Sequence, residues 1–182
     1  MPRLLGIVVA AAAAAAIAFT FAFYLSAGGG PAGNAFGGGP AMLAGAPAQS
    51  YAVKDLAGRD DALDRYRGHV VLVNLWASWC APCRSETPAL EQLYETERGK
   101  GLVVLGIDEG ESARVAAGFA KEMNLRYPIL VDEEQLYGRA YASIGLPTSV
   151  VVGRDGRIAR GIDGELTLAQ MREAVEPLLR RE

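Results

Sequence analysis

Apolar and polar positions fall into strand-like and helix-like blocks only from residue 51 onward. Val70–Trp76 is a short apolar, β-branched run that reads as a buried strand, and residues 102–107 read as a second one. Between them, residues 85–97 place Leu90, Leu93 and Tyr94 at helical spacing, with Pro88 predicting a kink. A further helix begins at Ser112, sets Val115, Ala116, Phe119 and Met123 on one face, and ends near Asn124. A short strand over 128–131 and a short helix over 136–142 follow. Thr148–Val152 and residues 158–161 read as strands joined through Arg154-Asp155-Gly156, a hairpin signal. The last helix spans 167–179, with Pro177 near its end. This order predicts an α/β fold with helices on both faces of a sheet.

The first 49 residues follow a different logic. Residues 4–25 are apolar and uncharged, and Arg3 precedes them. Their length matches a bilayer core and exceeds the hydrophobic part of a cleaved signal. With Arg3 on the cytoplasmic side, the remainder lies outside. The alternative is a signal peptide cut near Ala27, although Leu25-Ser26-Ala27 is a mediocre site. No cysteine follows this run, which excludes a lipid-modified amino-terminal cysteine. Residues 27–49 are rich in Gly, Ala and Pro and carry no charge, the composition of a flexible tether. The expected division is a membrane anchor over 1–26, a linker over 27–49 and a folded domain over 50–182.

Composition narrows the function classes. A net charge of −3 with no basic run argues against a nucleic-acid partner. The two cysteines of the chain cannot build a disulfide framework, and both lie in one Cys-Ala-Pro-Cys. The motif Trp76-Ala77-Ser78-Trp79-Cys80-Ala81-Pro82-Cys83 sits where a buried strand gives way to a helix. Cys80 then meets unpaired backbone N–H groups and the positive end of the helix dipole, which favour the reactive thiolate. The i, i+3 spacing keeps both sulfurs within disulfide reach. Cys80 is the expected exposed nucleophile, and Cys83, one turn further in, the expected resolving thiol. Pro82 suits an early helix position, where its missing N–H has no intrahelical partner. Half of a zinc site is the competing reading, but no second ligand pair exists, and His69 is the only histidine.

The stretch from Val71 through Asn74, Trp76, Trp79, Cys80, Pro82, Cys83, Glu86 and Pro88 resembles the TlpA/ResA-like thioredoxin family, which includes the CcmG/DsbE proteins. The likeness continues through residues 102–108, Tyr127-Pro128-Ile129-Leu130-Val131-Asp132 and Gly145-Leu146-Pro147-Thr148-Ser149. It implies a thioredoxin-like fold: a central mixed β-sheet flanked by helices, with an N-terminal transmembrane helix. It also implies a membrane-anchored, periplasm-facing thiol–disulfide oxidoreductase. Such a protein needs no cofactor beyond the Cys80–Cys83 disulfide and binds no metal. Its expected partners are protein substrates with disulfides, apocytochrome c among them, and a membrane electron donor. By resemblance Pro147 is a cis-proline facing the cysteines, and Trp79, Pro82, Leu146 and Pro147 form the substrate groove. Read alone, Pro147 is a trans turn proline.

Glu86, read alone, is a solvated first-turn carboxylate. The resemblance makes it a proton-handling residue beside the dithiol. Asn74 agrees with this, because thioredoxins proper usually carry a buried acid at that strand position. Trp76 is expected in the core, Glu109 in a solvated loop, and Asp132-Glu133-Glu134 at a polar helix start. Three rivals remain: a disulfide-inserting oxidase, a peroxidase and a thioredoxin-fold metal chaperone. The peroxidase lacks its Pro-x-x-x-Thr-x-x-Cys setting here, and the chaperone lacks a distal histidine.

Overall fold

The computed structural model describes residues 39–180. The expected anchor over 1–26 lies outside the described residues, as does the linker up to residue 38. Among the described residues no helix is long and apolar enough to cross a membrane.

Among the described residues seven strands form one mixed sheet: β1 (Val53–Asp55), β2 (Asp60–Asp61), β3 (Val70–Trp76), β4 (Leu102–Glu109), β5 (Ile129–Asp132), β6 (Thr148–Val152) and β7 (Ile158–Asp163). Their order is β2-β1-β5-β4-β3-β6-β7. β3, β4 and β5 run parallel, while β1, β6 and β7 pair antiparallel. Every residue of β3 is buried, as a continuous apolar run requires. The helices are α1 (Ala81–Glu97), α2 (Ala113–Glu122), α3 (Leu136–Ala140) and α4 (Leu168–Leu179). One face of β3 contributes Val70, Leu72 and Trp76 to a core with Leu90, Leu93, Phe119, Met171 and Val175 from α1, α2 and α4. The alternate residues Val71, Val73 and Leu75 face the opposite core, with Tyr137 and Tyr141. Period-2 alternation thus sorts one apolar strand into two cores.

Helix α1 runs through Pro88 to Glu97 and starts at Ala81, four residues before the expected start at residue 85. The small residue Gly106 on β4 sits where a Cβ would lie 2.9 Å from the Tyr127 ring and 3.0 Å from Trp76 Nε1. That clearance lets Trp76 lie flat in the core, stacked on Phe119 at 4.5 Å.

One expectation needs correction, and one element went unread in the sequence. The folded unit starts before residue 50: Pro40–Leu43 forms a 3-10 turn against β7, and Pro47 bridges Arg157. Gly45 N–H donates to the Ile158 carbonyl and Ala48 N–H to Gly156, while the Tyr141 hydroxyl donates to Gln49 O at 2.7 Å. A segment too poor in large side chains to order itself is ordered here by backbone bonds to an existing strand. Gly161 permits this docking, since any side chain there would meet the Pro40 backbone. The unread element is the hairpin β1–β2. It extends the sheet beyond β5 through strands of three and two residues, too short and too charged to carry a strand pattern.

Candidate active site

β3 ends at Trp76, and the turn that follows delivers Cys80 to the N-cap of α1. Its sulfur accepts the Cys83 backbone N–H at 3.3 Å, and Cys80 and Cys83 form a disulfide. The expectation of an exposed Cys80 does not hold for this oxidised state: Cys80 is 4 % and Cys83 1 % exposed. The Cys80 sulfur turns inward to bond Cys83 and to cap the helix. Trp79 beside it is 71 % exposed. Pro82 lies exposed on the first turn of α1.

The loop before β6 arrives at the same end of the sheet. Leu75 pairs with Thr148 in antiparallel register, so Pro147 falls one step further, level with Trp76. The Leu146–Pro147 bond is cis; Leu146 is half-buried and packs against the core that holds both cysteines, and Pro147 is buried. Trp76 lies in the core as expected.

Glu86 is not the solvated first-turn carboxylate expected: α1 starts at Ala81, which puts Glu86 on its second turn. It is 2 % exposed, on the inner face of α1 one turn beyond Cys83. Asn74 Nδ2 donates to Glu86 Oε1 at 2.7 Å and to Ser149 Oγ at 3.2 Å, and Leu166 N–H donates to Glu86 Oε2 at 2.9 Å. Burial pushes this carboxyl up to about 7, against the opposing pull of those two donors. A carboxyl with that balance exchanges its proton near neutral pH.

Glu109 and Asp132 are likewise buried rather than solvated. They face each other in register at the ends of β4 and β5, and Glu109 is pushed up to about 8, first by burial and then by Asp132. Two further acids escaped the sequence reading. Asp108, fully buried on β4, is pushed up to about 8, first by burial and then by its contact with Glu111. Glu111 reaches back to the turn before Cys80. A usable signal existed: acids at the end of the strand adjacent to the cysteine strand sit at the level of the motif. Among the described residues no group of three or more His, Cys, Asp or Glu is placed to hold a metal ion.

A mixed sheet with a Cys-x-x-C disulfide at the start of the helix after its central strand defines a thioredoxin-fold thiol–disulfide oxidoreductase. Residues 44–160 match the AhpC/TSA family model, and the chain belongs to that family. Among its relatives is the thiol-disulfide oxidoreductase ResA of Bacillus thuringiensis subsp. konkukian, 31 % identical over 137 residues, covering 75 % of this chain and 79 % of that one. ResA of Geobacillus thermodenitrificans is 30 % identical over 138 residues, covering 76 % and 79 %. A Chlorobium tepidum protein provisionally assigned as thiol:disulfide interchange protein DsbE superposes with a TM-score of 0.71 at 25 % identity, covering 75 % of this chain and 97 % of that one. A secreted thiol-disulfide isomerase of Corynebacterium glutamicum gives 0.67 at 27 %, covering 73 % and 85 %. The chain is thus an oxidoreductase whose redox group is its own disulfide.

Proposed function

We propose that this chain is an extracytoplasmic reductase of protein disulfides, tethered to the bacterial inner membrane by residues 1–26. The observation that carries the chemistry is Cys80 at the N-cap of α1 with the Cys83 N–H on its sulfur. Donors at that position stabilise a thiolate once the disulfide is reduced. The Cys80 thiolate attacks one sulfur of a client disulfide, forms a mixed disulfide and releases the other client sulfur as a thiolate. Cys83 then attacks the Cys80 sulfur and releases the second client thiolate. Two electrons pass to the client, and a membrane dithiol donor restores the Cys80–Cys83 pair. Trp79, Pro82, Leu146 and Pro147 line the client groove. Haem-binding thiols of apocytochrome c are the client class that the family resemblance suggests.

Glu86 is the proton-handling group in this scheme, taking the Cys83 proton as that thiol attacks. Burial raises Glu86 to about 7, so it accepts a proton well above that pH and poorly below it. Single-turnover release of client from the Cys80 mixed disulfide should therefore rise through neutral pH. Glu86→Gln should flatten that rise and slow release about tenfold or more at pH 7.5.

The direction of electron flow is tested by the reduction potential of the pair, measured by equilibration with glutathione or dithiothreitol. A value near or below about −250 mV supports the reductase. A value near about −120 mV makes the protein a disulfide-inserting oxidase and overturns the reading.

A further inference from the structure

The residue two before Cys80 is held on all of its polar groups by charged side chains from elsewhere in the fold. Glu111 Oε2 accepts the Ser78 N–H at 2.5 Å, and Oε1 accepts the Ser78 hydroxyl at 2.8 Å. Arg84 Nη1 reaches the Ser78 carbonyl at a long 3.5 Å. Arg84 is itself fixed, paired with Glu122 and stacked over Phe119 at 5.2 Å. Glu111 has a support of its own: its N–H donates to Asp108 Oδ1 at 3.2 Å, and the two side-chain carboxyls also meet. Asp108 is fully buried and pairs with Trp76 across the β3–β4 register. A connected path thus runs from the core of β4, through Asp108 and Glu111, to the turn that presents Trp79 and Cys80.

We propose that Asp108 and Glu111 are positioning residues, gripping Ser78 so that the turn sets the Cys80 sulfur at the cap of α1. Neither touches the reacting sulfurs. Their effect is on how well the helix N-terminus, and the Cys83 N–H in particular, stabilises the Cys80 thiolate. A bidentate acceptor suits the task, because one carboxylate satisfies the backbone and the side chain of a single residue at once.

The grip and the charge of Glu111 pull in opposite directions, which makes the proposal testable. A loosened turn raises the Cys80 thiol pKa, whereas loss of a nearby negative charge lowers it. The inference rests on Cys80 being the attacking thiol, so the assay reports each thiol separately. The reduced protein is alkylated with iodoacetamide across pH 5 to 9, and labelling of Cys80 and Cys83 is read by mass spectrometry.

Glu111→Ala should slow Cys80 labelling at pH 7 about tenfold, with its titration moved upward. Glu111→Gln, which keeps an acceptor oxygen without the charge, should stay within about threefold of the parent protein, against about tenfold for the loss of the grip. Asp108→Asn, which offers Glu111 an acceptor and a donor, should do the same. Ser78→Ala, retaining only the backbone bond, should fall between, and it keeps the test alive if Glu111→Ala does not fold. Downward shifts of the Cys80 titration in both Glu111 variants would make Glu111 a charge and overturn the grip. Unchanged labelling in Glu111→Ala, or in Ser78→Ala where Glu111→Ala does not fold, would overturn it as well. Faster labelling of Cys83 than Cys80 in the parent protein would instead overturn the assignment of the nucleophile.

Discussion

Replacing Cys83 by serine is expected to abolish turnover with a protein disulfide and to leave the client covalently attached through Cys80. Cys80 stands at the cap of α1, where the Cys83 N–H points at its sulfur, and the serine keeps that backbone donor. Attack on the client therefore proceeds, but the second exchange has no thiol to carry it out. The adduct should accumulate to near stoichiometry on non-reducing gels and be released by dithiothreitol. Cys80→Ser should give no adduct. The opposite pattern would reverse the order of the two thiols. The trapped species is also a route to the client, since mass spectrometry of the adduct identifies the segment bound beside Trp79, which is 71 % exposed.

The oxidised protein is expected to lose stability steadily from pH 5 to pH 8.5, and Glu109→Gln should remove part of that loss. Three buried carboxyls drive it: Glu86 is raised to about 7, and Asp108 and Glu109 to about 8, each mainly by burial. In the unfolded chain these groups ionise near 4, so between there and the folded values the unfolded state holds fewer protons. Stability is then fully present below the unfolded values and falls as pH rises through the folded ones. Glu109 contributes most cleanly, because burial and the facing Asp132 both oppose its charge. At pH 7 its raised value corresponds to a penalty on the order of 3 kcal/mol. An amide still has to be buried, so Glu109→Gln should recover about 1–3 kcal/mol at pH 8 and little at pH 5. Urea midpoints of both proteins across this range provide the measurement. Keeping the disulfide intact excludes thiol titration from the result. A midpoint that rises from pH 5 to 8 would contradict the burial of these acids.

Why these acids are buried is a question of neighbours rather than of local pattern. Glu86 occupies a second-turn position that any solvated carboxylate would suit. It is buried because Asn74 on β3 and the Leu166 N–H before α4 converge on its two oxygens, and Leu166 lies 80 residues further along the chain. Glu111 and Asp108 gain their place beside Cys80 only because β4 lies parallel to β3 in the register that pairs Asp108 with Trp76. The same holds for residues 40–48. Their composition reads as a tether, and β7 orders them through backbone bonds that no side-chain pattern reports.

By itself the sequence determined the elements whose order is local: the apolar run Val70–Trp76, the helix that begins after Cys80, and the Cys-Ala-Pro-Cys whose spacing brings two sulfurs together. Periodicity and helix-terminus chemistry act over a few residues, so they are legible in one dimension. Only the tertiary structure decided which acids are desolvated, which strand edges are extended, and which remote side chains hold the turn before Cys80. Desolvation and long-range hydrogen bonds depend on what packs across from a residue, and that is set by the sheet order rather than by its neighbours in the chain.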